Sequence, residues 1–103
     1  MNKLRFYCFH LMPYPFIPPA AEIQSTWVSL SNRHYDPNRG RVLYNEYIDQ
    51  LVAAEHFGYD GVGVNEHHAN FYGTMPSPNI IAPMLVQRTK QIPVGIIGIR
   101  ITH

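Results

Sequence analysis

The sequence has little cysteine, little charge and no long apolar run. Cys8 is the only cysteine among 103 residues, so no disulfide can form within the chain, and we expect a cytoplasmic location. The formal net charge is only +1, and no basic stripe or acidic tract predicts a nucleic-acid partner. No segment approaches the roughly 20 apolar residues of a membrane-spanning helix. Residues 6–12 are mostly apolar, but this run is short, contains His10 and meets Pro13 at once, which argues against a signal peptide. We therefore expect no nucleic-acid partner, no membrane partner and no export.

Strand-like and helix-like segments alternate along the chain. Residues 4–11 predict a strand that is buried on both faces, because nearly every side chain is apolar. Residues 13–37 follow as a long irregular segment, and loops of this length usually bind ligands or act as lids. The hydrophobic period changes to that of a helix over residues 40–57, and Gly58 is a typical helix stop. Residues 59–65 predict a second strand.

A second helix and a third strand complete the pattern. Ser77 can cap a helix that begins at Pro78, but Pro83 would then lie inside that helix at a cost of about 3 kcal/mol. A later start, with Asn79 as the cap, removes most of this cost, so we expect the later start and an end near Thr89. Residues 92–99 predict a third strand. The order strand, loop, helix, strand, loop, helix, strand is typical of an α/β protein with parallel strands.

These elements are too few for a complete α/β domain. Three strands and two helices can neither cover both faces of an open parallel sheet nor close a barrel. The third strand would leave an apolar edge open to a partner. We therefore expect the chain to be the first part of a larger domain. Alternatively, it self-associates through the open edge or docks onto another barrel chain.

Three ionisable residues, Glu66-His67-His68, stand directly after the second strand. Chemistry in α/β proteins usually occurs at the carboxyl ends of parallel strands, and an imidazole can donate or accept a proton near neutral pH. The alternative for His67 is a loop histidine whose ring is satisfied by backbone carbonyls. Adjacent histidines on an extended segment diverge, so we expect no metal site here.

Six segments, in order and with consistent spacing, resemble the amino-terminal part of the luciferase-like flavin-dependent monooxygenases. The resemblance covers about residues 4–98 and implies an eight-stranded (β/α) TIM barrel, of which this chain would supply three strands and two helices. The segments that carry it are Phe9-His10-Leu11-Met12-Pro13-Tyr14, Tyr35-Asp36-Pro37, Gly58-Tyr59-Asp60-Gly61-Val62, Asn65-Glu66-His67-His68, Met75-Pro76-Ser77-Pro78-Asn79 and Arg88-Thr89-Lys90.

The resemblance also implies an activity and its residues. It implies a monooxygenase that takes reduced FMN from a partner flavin reductase and oxygenates a small organic substrate with O2 through a flavin C4a-peroxide. It assigns His67 the catalytic role beside the flavin. Four aromatic residues are expected in loops at the catalytic end, either as a substrate wall or as anchors of those loops: Trp27, Tyr35, Phe71 and Tyr72. Cofactor contacts are expected from His10, Glu66 and Gly98, and the substrate pocket from Met12, His68 and Phe71.

The last five residues, 99–103, depart from the family pattern. Relatives usually continue after the third strand with a sequence such as Gly-Asn-Ala-Leu-Pro-Leu, whereas Gly98 is followed here by Ile99-Arg100-Ile101-Thr102-His103. Codons for Arg-Ile-Thr-His, read one base out of phase, can encode Ala-Leu-Pro. We hypothesise that a single-base frameshift near Gly98 truncates a longer gene and leaves an inactive remnant. The nucleotide sequence around the stop codon tests this.

Overall fold

One parallel sheet and two helices make up the structure, a computed structural model that describes residues 3–98. The strands are β1 (Tyr7–His10), β2 (Gly61–Val64) and β3 (Val94–Ile96), and they lie in the order β1-β2-β3. The helices are α1 (Pro37–His56), between β1 and β2, and α2 (Pro78–Arg88), between β2 and β3. The predicted α/β class and parallel pairing are confirmed, with β1 and β3 shorter than expected. The divergent tail, 99–103, lies outside the described residues.

The long segment between β1 and α1 is largely irregular, as predicted. It contains two one-turn 3₁₀ helices, Ala20–Glu22 and Asn32–His34. Within residues 3–98, no helix combines the length and the apolar character needed to cross a membrane.

Asp36 sets the start of α1. Its carboxylate accepts a hydrogen bond from the backbone N–H of Asn38 at 2.9 Å, and Pro37 occupies the first helical position, where a missing N–H is harmless. The helix therefore begins before the predicted Gly40. At the other end Gly58 has a φ of 80°, which confirms its role as the helix stop.

The core lies between the helices and one face of the sheet. The predicted apolar face of α1 is confirmed, because Tyr47, Ile48, Leu51 and Ala54 are buried and Tyr44 is half-buried. The main partners of this face are Val62 and Val64 from β2, Ile81 and Leu85 from α2, and Met12, Tyr14 and Met75 from the loops.

The start of α2 corrects the sequence prediction. The helix begins at Pro78, not after Asn79, and Pro83 lies inside it. Pro78 is fully buried on the same helix face as Ile81 and Leu85, because residues three and four apart are neighbours on a helix. Burying each large apolar side chain contributes about 1.5–3 kcal/mol, which offsets the cost of about 3 kcal/mol for an interior proline.

The two faces of β1 differ, and the prediction that both are buried is wrong. Tyr7 and Phe9 remain 57% and 45% exposed. The glycines of β2 leave space beside them, because a Cβ at Gly61 would approach the Tyr7 ring to 2.4 Å and one at Gly63 would approach the Phe9 ring to 3.1 Å. We call Tyr7, Phe9, Gly61, Gly63 and Ile97 the open sheet face. The helices pack on the opposite face, so this one stays uncovered among the described residues.

Glu55 links the end of α1 to the start of β3. Its carboxylate accepts hydrogen bonds from the backbone N–H groups of Lys90, Gln91 and Ile92 at 3.0, 2.7 and 2.9 Å. The bond from Gln91 is the largest of the effects that hold the pKa of Glu55 below its ordinary value. The amino-terminal end of the sheet is therefore closed by a charge-assisted clamp.

Replacing Glu55 by glutamine is expected to destabilise the fold in a pH-dependent way. The folded-state pKa of Glu55 lies below its ordinary value of 4.5. The stabilisation is therefore complete above about pH 4.5 and is lost as the pH falls through the folded-state pKa. Glu55→Gln should lower the urea midpoint at pH 7, and the difference from the unmodified chain should shrink near pH 3. Glu46→Gln, on the exposed side of α1, is the matched control. A difference that stays the same at both pH values would contradict the clamp.

Candidate functional site

The loop after β2 folds back over the end of β1. The carbonyl oxygen of Met12 accepts hydrogen bonds from both the backbone N–H and the hydroxyl of Thr74, at 2.8 and 2.7 Å. The backbone N–H of Tyr14 donates to the carbonyl of Tyr72 at 2.9 Å. These bonds hold the carboxyl ends of β1 and β2 together in one surface. We call residues 66–75, which follow β2, the site loop.

Two residues in these segments have left-handed backbone. Met12 has a φ of 47° just after β1, and Ala69 has a φ of 58° within the site loop. A side chain with a Cβ adopts this region at a cost of about 1–3 kcal/mol. Strain of this kind clusters at ligand sites, and both instances here lie at the same end of the sheet.

Hydrogen bonds fix both the backbone and the ring of His67. Its backbone N–H donates to the carbonyl of Met75 at 2.8 Å, and its Nδ1 lies 2.8 Å from the carbonyl oxygen of Glu66. Because a carbonyl oxygen only accepts, the neutral ring is assigned the tautomer that carries its hydrogen on Nδ1. Nε2 is then the acceptor nitrogen, which suits a general base.

Gly73 and Trp27 pack against the same ring. A Cβ at position 73 would lie 2.4 Å from Cδ2 of His67, so only glycine leaves room for the imidazole in this position. The Trp27 ring centroid lies 5.3 Å from that of His67 and 5.3 Å from that of Tyr72. The side chain of Asn70 donates to the carbonyl of Thr26, which ties the long loop to the site loop.

Beside His67 lies a cavity of about 240 Å³. The side chains of Glu66 and His68 form a hydrogen-bonded pair at its rim, where Glu66 is largely buried and His68 is exposed. The cavity therefore combines three aromatic rings with a polar rim. Its lining residues are Trp27, Glu66, His67, His68, Asn70, Tyr72 and Gly73.

Asn65, directly before Glu66, is buried with unpaired polar atoms. Its side chain is only 5% exposed, and neither Oδ1 nor Nδ2 has a hydrogen-bond partner among residues 3–98. A buried polar group without a partner costs about 1–3 kcal/mol. A buried unpaired polar group in a folded protein needs a specific explanation, such as a functional role.

The other predicted site residues lie away from this cavity. His10 is on the helix side of β1, where Nε2 is 2.8 Å from the side-chain oxygen of Gln50 and Nδ1 accepts from the backbone N–H of Met12. Met12 is fully buried. Phe71 is buried against the rings of Tyr14 and Tyr35. Gly98 is exposed, with a φ of 89°. The structure thus brings together Glu66, His67 and His68, and the cofactor and pocket roles of all these residues stay predictions.

The sequence analysis missed Gly73, Asn70 and the orphaned amide of Asn65. No local pattern marks Gly73, because its need for a missing side chain arises from a ring six residues earlier. From the sequence, Trp27 and Tyr72 could be assigned to loops at the carboxyl ends of the strands, but their contacts with each other and with His67 could not be predicted. Among residues 3–98, no group of three or more His, Cys, Asp or Glu side chains could hold a metal ion.

Comparison with known proteins supports the fold of this chain and assigns it no family. No protein-family model matches the chain. Over 65 residues, or 60% of this chain, it is 34% identical to the uncharacterized protein y4wF of Sinorhizobium fredii, of which it covers 19%. The crystal structure of apo-MsnO8 is similar over 91% of this chain and 22% of that protein, with a TM-score of 0.59 and 20% identity. The second likeness concerns the fold alone, and the chain spans about a fifth of the length of either protein.

Replacing Gly73 by alanine is expected to displace the His67 ring. The new methyl group would overlap Cδ2 of the imidazole, so the ring must rotate away from its bond to the Glu66 carbonyl. The ring-proton NMR signals of His67 should shift, and the emission of Trp27, the only tryptophan, should change with them. Gly95→Ala is the control, since its nearest contact would be an ordinary 3.6 Å. Unchanged His67 signals in Gly73→Ala would contradict this geometry.

Proposed function

We propose that this chain is the amino-terminal part of a luciferase-like flavin-dependent monooxygenase that uses reduced FMN and O2. The observation that carries the proposal is the environment of His67, which stands at the carboxyl end of β2 with Nδ1 held by a backbone carbonyl and Nε2 left as the acceptor. The resemblance in six ordered segments of the sequence supports the same assignment.

The proposed fold of the whole protein is a (β/α)₈ barrel. Supporting features are the sequential parallel order of the strands and the open sheet face, where glycines of β2 leave room for the rings of Tyr7 and Phe9. In a closed barrel this face would become the packed interior. The chain's share of about a fifth of y4wF and of MsnO8 leaves ample length for the remaining strands.

The residues of the site fit a flavin of this kind. The buried amide of Asn65 has a donor and an acceptor without partners among residues 3–98, and a side-chain rotation that exposes them would match them to the alternating N–H and C=O groups on the flavin pyrimidine edge. We therefore assign Asn65 to the cofactor and His67 to the proton chemistry beside it. When bound, reduced FMN supplies the electrons that activate O2, and a cytosolic flavin reductase would deliver it.

The chemistry of the chain itself centres on a proton at Nε2 of His67. The neutral ring can take a proton from a hydroxyl or amine of the substrate, and the protonated ring can return it. The Trp27 ring packs against this imidazole and against Tyr72, which covers one side of the His67 ring. The hydrogen bond between the side chains of Glu66 and His68 fixes both side chains at the rim of the cavity.

Loss of His67 is expected to abolish most oxygenation in a complete barrel. The test protein is a chimera in which this chain replaces the matching segment of y4wF, supplied with reduced FMN, ¹⁸O₂ and a panel of phenols, aldehydes, alkanes and amines. Product carrying one ¹⁸O atom is expected, and His67→Gln should slow its formation by about 10²–10⁴-fold. His68→Gln, at the exposed rim, should slow it less than tenfold. No labelled product from either the chimera or intact y4wF would contradict the proposed function.

The isolated chain is expected to cover its open sheet face by self-association. Phe9 is 45% exposed and Tyr7 is 57% exposed, and exposed apolar sheet surfaces beside free edges favour association. Phe9→Lys should shift the chain towards monomer in analytical ultracentrifugation. Phe57→Lys, at an equally apolar but remote position with 79% exposure, should not. A monomeric unmodified chain would contradict this expectation.

A further inference from the structure

Trp27 is held in place and yet remains largely exposed. Its ring packs on His67 and Tyr72, but 63% of its surface is accessible. The turn that carries it is closed by its own hydrogen bonds: the Ser29 N–H donates to the Ser25 carbonyl at 3.0 Å, and the Ser25 N–H donates to the Ser29 hydroxyl at 2.9 Å. This turn presents the indole at the cavity and does not bury it.

The size of the cavity limits what can lie against this indole. An apolar cavity of about 150 Å³ accommodates benzene, whereas the cavity beside His67 measures about 240 Å³. One six-membered ring with a short substituent fills this volume, whereas the three fused rings of a flavin would extend beyond it. The cavity is therefore suited to a substrate, with the cofactor outside it.

The polar groups that line the cavity determine which substituent on the bound ring is complementary to the site. Nε2 of the neutral His67 ring accepts a hydrogen bond, because Nδ1 carries the hydrogen. The amide of Asn70 is already engaged by the Thr26 carbonyl and the Tyr72 N–H, and Glu66 is paired with His68. A ligand that donates a hydrogen bond to Nε2 is therefore complementary to the site.

We propose that the cavity binds a single-ring aromatic substrate with a hydroxyl substituent, a phenol, and that stacking on Trp27 sets this preference. The hydroxyl donates to Nε2 of His67, and the ring lies against the exposed indole. The identification as a substrate rests on the proposed function, whereas binding of the ring depends only on Trp27, Tyr72 and His67.

The test compares phenol with cyclohexanol, which also carries one hydroxyl on a six-membered ring but has no aromatic ring. Calorimetric titration of the unmodified chain should give about three- to tenfold tighter binding of phenol, the range that aromatic pairing adds beyond burial. The indole N–H signal of the single tryptophan should shift on binding. Trp27→Leu should remove the preference for phenol, and Trp27→Phe should keep it. Phe57→Leu, which removes an exposed ring outside the cavity, should leave the preference unchanged.

Three outcomes would overturn the proposal: equal affinity for the two probes, binding of neither probe, or a preference that survives Trp27→Leu. Anisole provides a further check, because it keeps the ring but cannot donate a hydrogen bond and should bind more weakly than phenol. The titrations contain no flavin and no oxygen. Failure of the ¹⁸O experiment with the phenol preference intact would reject the monooxygenase, and the reverse pattern would reject only the phenol site.

Discussion

The carbonyl oxygen of Met12 is the point on which the whole site depends. It accepts two hydrogen bonds from Thr74, which is 62 residues away in sequence, and both residues are buried. A buried carbonyl needs a partner, and this one finds it only if the site loop returns over the end of β1. That return places Gly73 under the ring of His67 and the Met75 carbonyl opposite its N–H. The orientation of the imidazole is thus a consequence of backbone pairing.

The two ends of the sheet are built for different purposes. At the amino-terminal end, three backbone N–H groups converge on the carboxylate of Glu55, and these ordered hydrogen bonds hold α1 to β3. At the carboxyl end, the loops carry strained residues, an orphaned amide and an exposed indole. Sites of binding are commonly drawn from the less stable parts of a fold, while rigid elements position them. The Glu55 clamp supplies that rigidity without entering the site.

The order of elements, the parallel pairing and the buried face of α1 could be predicted because each follows from local periodicity and from turn residues such as Gly58. The burial of β1 could not be predicted, since it depends on which elements cover each face of the strand. Both faces of β1 are apolar in sequence, yet only one meets the helices. The local cost of a proline inside a helix favours a start of α2 after Asn79. The helix begins at Pro78 instead, because Pro78 is buried against the core. Glu66-His67-His68 could be placed by the strand-end rule, but the contact of His67 with Trp27 joins segments forty residues apart.

Alternation along β2 connects the open sheet face to the candidate site. Gly61 and Gly63 lie on that face, and the next position of the same parity is Asn65, whose amide has no partner within the part of the chain that the structure describes. Glycine in a strand marks a place that another group approaches closely. The uncovered apolar surface of β2 is therefore followed directly by a buried amide, at the first residue after the strand. A covering element must supply apolar side chains over Tyr7 and Phe9, and whatever reaches Asn65 must bring both a donor and an acceptor. Barrel strands meet the first demand and a flavin edge meets the second, so the same proposal accounts for both.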